Sequence, residues 1–291
     1  SVLIIMIFNH LLAAYNPKIL KNNIIQKGFS FFLRPFGLTL IDFITLNNMT
    51  SNRWDGRLTY YLNKIDKYLA KEKIIFDVGS DRGQIIHFFL LLYNNCKIFG
   101  FEPNKSSYKQ ILNNLRNWFP TKLNYKIFNY ALMNNNQSRQ FYFSKYPELS
   151  SFYKINNDNN INKIEDVDVS TGDLFLKQKK YINEIDILKI NTQGSELDVL
   201  KGFHETLSNS KIKIIICEFD YTNRYKNKNI STISKYEKFL EQYEYSLLDI
   251  VQLKRVQIKE KNIVNLGFGI DHGYLIFLRN NIIKDISNNN D

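Results

Sequence analysis

The sequence contains very little cysteine. Two cysteines occur among 291 residues, Cys96 and Cys217, and each is flanked by an apolar, strand-like run. They lie far apart and lack the spacing of metal ligands, so no metal-binding motif is indicated. We expect two reduced, partly buried thiols in a cytoplasmic protein.

An apolar run long enough to cross a membrane is also lacking. The most apolar stretch, residues 1–15, is too short and is interrupted by Asn9 and His10. It has neither a charged start nor a clear small-residue cleavage site, so it does not resemble a signal peptide. We interpret it as a helix packed on the main domain. Because apolar residues cover nearly every face, contact with a membrane surface is the alternative.

Positive charge is abundant but not concentrated. The net charge is +11, yet the lysines are scattered, and most stand beside Asn or Glu. No tight basic cluster with interleaved aromatic residues occurs, so solvated lysines on helix faces are the simplest interpretation. We therefore expect no nucleic-acid partner; strong salt dependence of nucleic-acid binding would reverse that expectation.

Strand-like and helix-like patterns alternate through most of the chain. We expect residues 1–55 to form a partly helical N-terminal extension and residues 56–291 to form the main domain. Strands are predicted at 73–78, 97–101, 123–132, 139–144, 166–170, 185–190, 211–219, 245–257 and 273–278. Helices are predicted at 57–69, 84–93, 105–118, 195–207 and 231–243, with Ser195 as the N-cap of the fourth, and Thr171 or Asp173 is expected to cap a further short helix. The segment 145–163, rich in Asn and Ser, is predicted to be a loop. This alternation predicts a doubly wound α/β domain with a mostly parallel sheet, helices on both faces and an antiparallel edge.

The first predicted strand ends in a glycine-containing turn. Gly79 and Gly83 stand between this strand and the next helix, and ligands in such sheets bind at the carboxyl ends of the strands. Gly79 permits a tight turn and close approach of the backbone to a ligand. The helix that follows offers free amides to a carboxylate or phosphate. The motif is neither the GxGxxG of dinucleotide enzymes nor a Walker loop.

The second predicted strand ends in an acid. Glu102 follows Gly83 by 19 residues, where a carboxylate can accept both ribose hydroxyls of a nucleoside. A glycine turn followed by an acid at the next strand end predicts a nucleoside pocket. A nicotinamide dehydrogenase uses the same sheet, but the turn lacks the middle glycine that admits a pyrophosphate.

Four consecutive segments carry a family resemblance. IIFDVGSDRGQ, KIFGFEPNKSSYKQILNNL, IDILKINTQGSELDVLKG and IIICEF follow each other between Lys73 and Phe219. In order and spacing they resemble the FkbM-type methyltransferases. The resemblance implies a class I methyltransferase fold with a Rossmann-like, seven-stranded sheet. It also implies S-adenosylmethionine as the methyl donor and an oxygen as the usual acceptor atom.

The resemblance also implies which residues bind the donor. Asp77, Gly79 and Gly83 match the motif that holds the amino-acid end of the donor, and Ser80 lies within it. Glu102, followed by Pro103, matches the acid that binds the ribose. Tyr130 and Ala131 fall where the adenine is usually flanked, and Asp168 lies in the family's short strand before the fourth helix.

Three positions depart from the family pattern. Asn191 stands where the family usually has Asp, Ser195 where it usually has an aromatic residue, and Asp81 where Asn is common. Asn191 puts in doubt a role as base or metal ligand at that position, but it can still hydrogen-bond to the donor or acceptor.

A hydroxyl acceptor needs a base for its proton, and three residues near strand ends are candidates. Glu218 is the first choice, because burial at the end of an apolar strand would raise its pKa. Asp220 and His272 are further candidates, and Asn191 is included as a catalytic position. Lys189 is expected to pair with Glu196 or Asp168, or to touch the substrate. Ser150 and Ser151 are candidates for lining the acceptor site.

These residues favour an S-adenosylmethionine-dependent O-methyltransferase that acts on a sugar, a glycan or a small metabolite. Methylation of nitrogen is a second possibility. The alternative from another class is a degenerate methyltransferase fold that binds ligands without turnover, an alternative prompted by Asn191. No spacing specifies a metal, and neither the acceptor nor the oligomeric state can be deduced.

Overall fold

The computed structural model describes residues 53–120, 124–154, 160–220, 232–257 and 268–288. The predictions for residues 1–15 lie outside these ranges. The chain divides into two compact units, Ser1–Leu58 and Thr59–Asp291. Of the first unit, the described part is the start of helix α1 (Arg53–Ile65).

The second unit alternates strands with helices. Its strands are β1 (Lys73–Val78), β2 (Cys96–Phe101), β3 (Tyr125–Phe128), β4 (Ala131–Leu132), β5 (Arg139–Ser144), β6 (Ile161–Val167), β7 (Val169–Ser170), β8 (Ile185–Ile190), β9 (Ile212–Asp220), β10 (Tyr245–Gln257) and β11 (Phe268–Arg279). The helices after α1 are α2 (Gln84–Leu92), α3 (Lys105–Trp118), α4 (Gly172–Gln178), α5 (Glu196–Lys201), α6 (His204–Ser208), α7 (Ile233–Glu241) and α8 (Asn280–Asn288). None of these described helices combines the length and apolar character needed to cross a membrane.

Within the described residues, seven strands form one sheet in the order β10-β11-β9-β8-β1-β2-β3. The central strand β1 is parallel to β2 and to β8. Strands β3 and β9 continue the parallel arrangement on either side, and β11 and β10 complete an antiparallel edge. This confirms the predicted mostly parallel sheet. Because the parallel strands end at one edge, the residues that follow them are brought together there.

Alternate side chains of the central strands support helices on both faces. Phe76 on β1 packs against Phe175 of α4 and against Phe203, with ring centroids 5.5 Å and 6.2 Å away. Helix α2 packs closely on the opposite face. A Cβ on Gly100 of β2 would lie 2.9 Å from the Cδ1 atom of Ile86 on α2. The alternation follows from the two-residue period of a strand.

The helix starts are fixed by different groups. Asn104 caps α3 by accepting from the backbone N–H of Ser106 and Ser107. Thr171 caps α4, as the sequence predicts, by accepting from the N–H of Leu174 at 3.1 Å. The predicted capping role of the Ser195 side chain is wrong, because its buried hydroxyl makes no cap bond to α5.

One predicted strand is divided in the structure. The segment 123–132 contains β3, which joins the main sheet, and β4, which pairs with β7 instead. Between β4 and β7 the chain forms an antiparallel hairpin of β5 and β6. The predicted loop 145–163 therefore includes a short 3-10 helix, Pro147–Leu149, and the beginning of β6. Residues 133–168 are an insertion whose two ends meet at the β4–β7 pair.

The two cysteines belong to the core. Cys96 on β2 and Cys217 on β9 are both buried, and no disulfide joins them. Burial raises the pKa of the Cys217 thiol, so this side chain behaves as a small apolar group.

A buried carboxylate holds the amino ends of the central strands together. Asp186 on β8 accepts hydrogen bonds from the backbone N–H of Ala70 and Ile74, both at 2.8 Å. Its carboxylate also lies 2.7 Å from the buried ammonium of Lys213 on β9. Removal of this carboxylate would leave buried donors without an acceptor.

We expect Asp186→Ala to lower the free energy of unfolding by about 3 kcal/mol or more, the range for breaking a buried ion pair. Glu165→Ala is the matched control, because Glu165 pairs with Lys163 at the surface and exposed pairs contribute about 1 kcal/mol or less. Urea unfolding of both variants measures the difference. Equal losses would contradict a structural role for Asp186.

Candidate functional site

A cavity of about 270 Å³ opens at the carboxyl ends of the parallel strands. It receives residues from the ends of β1, β2 and β8 and the turns that follow them, from β4, from the end of β9 and from the inserted hairpin. Its lining consists of Val78, Gly79, Asp81, Phe101, Glu102, Pro103, Ala131, Leu132, Phe141, Pro147, Glu148, Leu149, Ser150, Phe152, Asn191, Thr192, Gln193 and Glu218. This is the edge where the topology predicts a ligand site.

The turn after β1 requires glycine at position 79. Gly79 has φ +78°, a left-handed conformation that side chains disfavour, and its N–H donates to the carbonyl of Phe101 at 3.0 Å. A Cβ at this position would lie 1.8 Å from the carbonyl oxygen of Asn191. The first turn and the end of β8 are therefore in direct backbone contact at the cavity.

A buried ion pair lies beneath this turn. The Lys189 ammonium lies 2.9 Å from an Asp77 carboxylate oxygen and donates to the carbonyl of Gly79 at 3.2 Å. The sequence predicted Glu196 or Asp168 as the partner of Lys189. In the structure the partner is Asp77 instead. Asp77 is fully buried and is not one of the residues that line the cavity, and through Lys189 it is linked to the turn that does.

Two other residues of the first motif also support the turn from outside the cavity lining. The Ser80 hydroxyl is buried and donates to the carbonyl of Asp77 at 2.8 Å. Gly83, with φ +85°, precedes α2, and a Cβ there would lie 3.2 Å from Ile111. Both positions serve the strand-to-helix turn.

Glu102 presents a buried carboxylate to the cavity. One oxygen accepts from the N–H of Asp81 at 2.9 Å, and the other accepts from the N–H of Asn104 at 2.8 Å. Burial raises the pKa of Glu102 to about 8, although these two backbone hydrogen bonds lower it. An ionised carboxylate has about four acceptor sites, so it can still accept two hydroxyl groups of a ligand.

Asp81 is a second acid in the cavity wall. Its backbone has φ +45°, and burial raises the pKa of its carboxyl group, while the neighbouring Arg82 lowers it. One of its buried oxygens, Oδ1, has no hydrogen-bond partner among the described residues. A buried acceptor of this kind fits a cationic or N–H group of a ligand.

The adenine region predicted after β3 is only partly in the cavity. Ala131 and Pro103 line it together with Leu132, which the sequence did not indicate. Tyr130 packs its ring against Phe101 and Phe128 outside the lining. Asp168 lies between β6 and β7, is exposed and does not line the cavity.

Glu196 shapes the loop that follows β8. Its buried carboxylate accepts from the N–H of Thr192 at 2.8 Å and from the N–H of Gly194 at 3.0 Å. Gln193 between them has φ +56°, and Gly194 has φ +103°. Burial raises the pKa of Glu196 to about 7, and the nearby charge of Glu218 adds to the rise. The carboxylate thus compensates for the strain of two left-handed residues.

The three polar side chains at the ends of β8 and β9 form one network. The Gln193 amide nitrogen donates to Asn191 Oδ1 at 2.9 Å and to Glu218 Oε2 at 2.8 Å. Asn191 in turn donates to the hydroxyl of Tyr274 at 3.3 Å. The structure therefore brings two predicted catalytic residues, Glu218 and Asn191, together in the cavity wall.

The third catalytic candidate has only its backbone defined. His272 lies on β11 opposite Asp220 of β9, and β9 separates β11 from β8 in the sheet. The predictions for the His272 and Asp220 side chains lie outside the described part of the chain.

The inserted hairpin supplies the wall that sequence reasoning largely missed. Phe141 and Phe152 pack together at 4.9 Å between ring centroids, and both line the cavity. Ser150 lines it as predicted, while the Ser151 hydroxyl donates to the carbonyl of Gln193 at 2.7 Å. The only sequence signal for this wall was the strand pattern at 139–144, which does not indicate what the strand packs against.

The cavity suits an organic cation better than a metal or an anion. No group of three His, Cys, Asp or Glu side chains suitable for a metal ion occurs among the described residues. The described lining contains four acids, Asp81, Glu102, Glu148 and Glu218, and neither Lys nor Arg. A nucleoside donor with a positive sulfonium therefore fits the donor set, with Glu102 available for its ribose.

The sequence matches the Methyltransferase FkbM domain over residues 77–247, which is more than half of the 291 residues. The match begins at the first strand-end motif and extends into β10, so it includes the turns that line the cavity. A search of the curated proteins finds no significant match.

Several solved methyltransferase structures are similar at low identity. A methyltransferase FkbM from Methylobacillus flagellatus KT has 13% identity and a TM-score of 0.47, with 71% of this chain and 44% of that chain covered. M. capricolum TrmK, in complex with S-adenosyl-homocysteine, has 14% identity, a TM-score of 0.42, and coverages of 76% and 68%. Magnesium protoporphyrin IX methyltransferase from Synechocystis PCC 6803, with bound SAM, has 9% identity, a TM-score of 0.44, and coverages of 92% and 99%. This chain spans less than half the length of the Methylobacillus protein.

We expect Glu196→Gln to change how stability depends on pH. A carboxyl group whose pKa is raised in the folded state stabilises the fold at low pH, and this contribution is lost as pH rises from about 4.5 to about 7. Gln keeps an acceptor oxygen but does not ionise. The melting temperature of the variant, relative to that of the unaltered protein, should therefore increase between pH 5 and pH 8.

Glu205→Gln provides the control, since Glu205 is exposed and pairs with Lys177 at the surface. Thermal unfolding followed by circular dichroism measures all three proteins. A constant difference across this pH range would show that Glu196 does not carry a raised pKa.

Proposed function

The chain belongs to the FkbM family of S-adenosylmethionine-dependent methyltransferases, and we propose that it methylates a hydroxyl oxygen of a sugar, a glycan or a small metabolite. The observation that carries this proposal is the juxtaposition of Glu102 and Glu218 in one cavity. We propose that Glu102 binds the ribose of a nucleoside donor and that Glu218 accepts the proton of the acceptor hydroxyl. The proposal includes a main domain at residues 56–291 and a cytoplasmic location, where the donor is available.

The donor half of the cavity is proposed to consist of the turns after β1, β2 and β3. S-adenosylmethionine supplies an electrophilic methyl group when bound. Glu102 would hold the ribose hydroxyls, and Pro103 and Ala131 would flank the base. Gly79 and Asp81 would meet the amino-acid end, because the glycine allows close approach and Asp81 offers a buried acceptor.

The acceptor half is proposed to consist of the ends of β8 and β9 and the inserted hairpin. Glu218 would accept the proton of the acceptor hydroxyl as its oxygen attacks the methyl group, and Asn191 would orient that hydroxyl. A carboxylate suits this task because it accepts a hydrogen bond from the hydroxyl before the proton is transferred. His272 remains a further candidate base.

The alternative is a degenerate methyltransferase that binds ligands without turnover. Asn191 prompts it, because the residue removes a charge beside the proposed reaction site. Against it, Glu218 lies in the same wall and retains a carboxylate there. Nitrogen methylation would use the same wall, and a screen of amine acceptors distinguishes it from oxygen methylation.

Donor affinity should depend on the ionisation of Glu102. Ribose hydroxyls donate to the ionised carboxylate, and its pKa of about 8 leaves only a minority of Glu102 ionised at pH 7. We expect the dissociation constant of S-adenosylmethionine to fall by roughly tenfold from pH 7 to pH 9, because the binding-competent fraction rises. Isothermal titration calorimetry across this range measures the effect.

Glu102→Gln should weaken binding and remove most of this pH dependence. Glu165→Gln, on the exposed face of β6, should leave both unchanged. The same slope in Glu102→Gln and in the unaltered protein would exclude Glu102 as the ribose-binding group. A folded protein without affinity for S-adenosylmethionine at any pH would contradict the proposed function itself.

Turnover should depend on Glu218. We expect Glu218→Gln to lower kcat by about 10²-fold or more, since general base catalysis contributes about 10² to 10⁴. The dissociation constant of S-adenosylmethionine should change by less than about threefold, because the donor is held by the other half of the cavity. Transfer of labelled methyl groups to a panel of sugars, glycans and amines provides the assay.

Two results would contradict this assignment. Full turnover in Glu218→Gln would exclude Glu218 as the base. Tight donor binding by the unaltered protein, with no transfer to any acceptor in the panel, would favour the binding module.

A further inference from the structure

Gln193 contacts both proposed catalytic side chains at once. Its amide nitrogen lies 2.8 Å from Glu218 Oε2 and 2.9 Å from Asn191 Oδ1. An amide NH₂ group has two hydrogens, so one side chain donates to both acceptors. The bond to Asn191 also fixes that amide with its nitrogen towards Tyr274.

The Gln193 backbone is held in an uncommon conformation. Its φ of +56° is unfavourable for a residue with a long side chain, and the flanking N–H groups of Thr192 and Gly194 are bound by Glu196. Its carbonyl accepts from Ser151 of the inserted hairpin. Residues in strained conformations persist where the surroundings hold them, and they cluster at functional sites.

We infer that Gln193 is the positioning residue of the acceptor half, which orients Glu218 as the base and links its geometry to the hairpin through Ser151. This inference rests on the proposed function, because it concerns the proton acceptor of that reaction. Gln193 acts through Glu218 and Asn191 and is not itself the base.

The link has a geometric consequence for Glu218. The Gln193 amide holds one carboxylate oxygen of Glu218 in a fixed direction, which orients this carboxylate towards a hydroxyl group in the cavity. Loss of this hydrogen bond would reduce the alignment of Glu218 with the acceptor hydroxyl.

Other titratable groups face Glu218 from the packed elements around it. Glu196 on α5 interacts with it electrostatically, and the Tyr236 hydroxyl of α7 donates to the backbone carbonyl of Glu218. Tyr274 on β11 is its register partner. These groups are the same in all of the variants below, so differences between variants report the change at position 193.

Two substitutions of Gln193 distinguish loss of its hydrogen bond to Glu218 from loss of the folded structure. Gln193→Asn keeps an amide but shortens the side chain by one methylene, and Asn is among the residues that tolerate a positive φ. Gln193→Glu keeps the shape but replaces the donor with a negative charge. Gln140→Glu is the matched control, because Gln140 is exposed on β5 and contacts Tyr142 outside the cavity.

The decisive readout separates turnover from donor binding. We expect kcat for methyl transfer to fall about tenfold or more in Gln193→Asn and further in Gln193→Glu, while the dissociation constant of S-adenosylmethionine changes by less than about threefold. Carboxyl-¹³C glutamate NMR of the full chain, assigned by comparison with Glu218→Gln, should show a displaced Glu218 signal in both variants, with and without S-adenosylhomocysteine. Gln140→Glu should change neither kcat nor the Glu218 signal.

An unchanged Glu218 carboxyl signal in both folded Gln193 variants would overturn the inference, even if kcat fell. Failure of the proposed function gives a different result: the unaltered protein would transfer no methyl group, while the NMR spectra would still determine whether Gln193 orients Glu218. Melting temperatures identify a variant that fails to fold. In that case the other Gln193 variant decides whether Gln193 orients Glu218.

Discussion

The ion pair between Lys189 and Asp77 is the constraint on which the cavity depends. The two residues are register partners on adjacent central strands, and both are buried. Removing charges from water costs several kcal/mol per ion, and only close pairing with further hydrogen bonds offsets that cost. Lys189 makes such a hydrogen bond by donating to the carbonyl of Gly79. The pair therefore fixes the turn after β1 against the end of β8, where Gly79 and Asn191 meet.

Charge is distributed unevenly between the surface and this cavity. The chain carries a net charge of +11, yet the described residues of the lining include four acids and no Lys or Arg. Low-dielectric walls strengthen the field of such acids. Two of them, Glu102 and Asp81, have raised pKa values because of burial. A cationic ligand would favour the ionised forms of these acids, so the described lining suits a cation better than an anion.

The sequence was most informative where the backbone itself imposes a residue type. The cavity positions of Gly79 and Glu102 could be predicted because each follows a predicted parallel strand, and such strands end at one edge of the sheet. The mostly parallel arrangement follows from the alternating patterns. The partner of Lys189 could not be predicted, because pairing across strands depends on their register, which a single sequence does not reveal. Ser195 looked like a helix cap, but the adjacent Glu196 satisfies the backbone N–H groups of the loop instead. The roles of Phe141, Phe152 and Gln193 require the hairpin to be placed over the sheet, which is a tertiary arrangement.

The pairing of β4 with β7 has an evolutionary consequence. Ala131 and Leu132 lie beside Val169 and Ser170, so the insertion between them leaves and re-enters the fold at nearly the same place. A segment closed at its base can be lengthened, shortened or exchanged without disturbing the register of the central strands. The hairpin wall of the cavity can therefore change its shape, and with it the ligands that fit there, while the turns at the ends of β1 and β2 keep their positions.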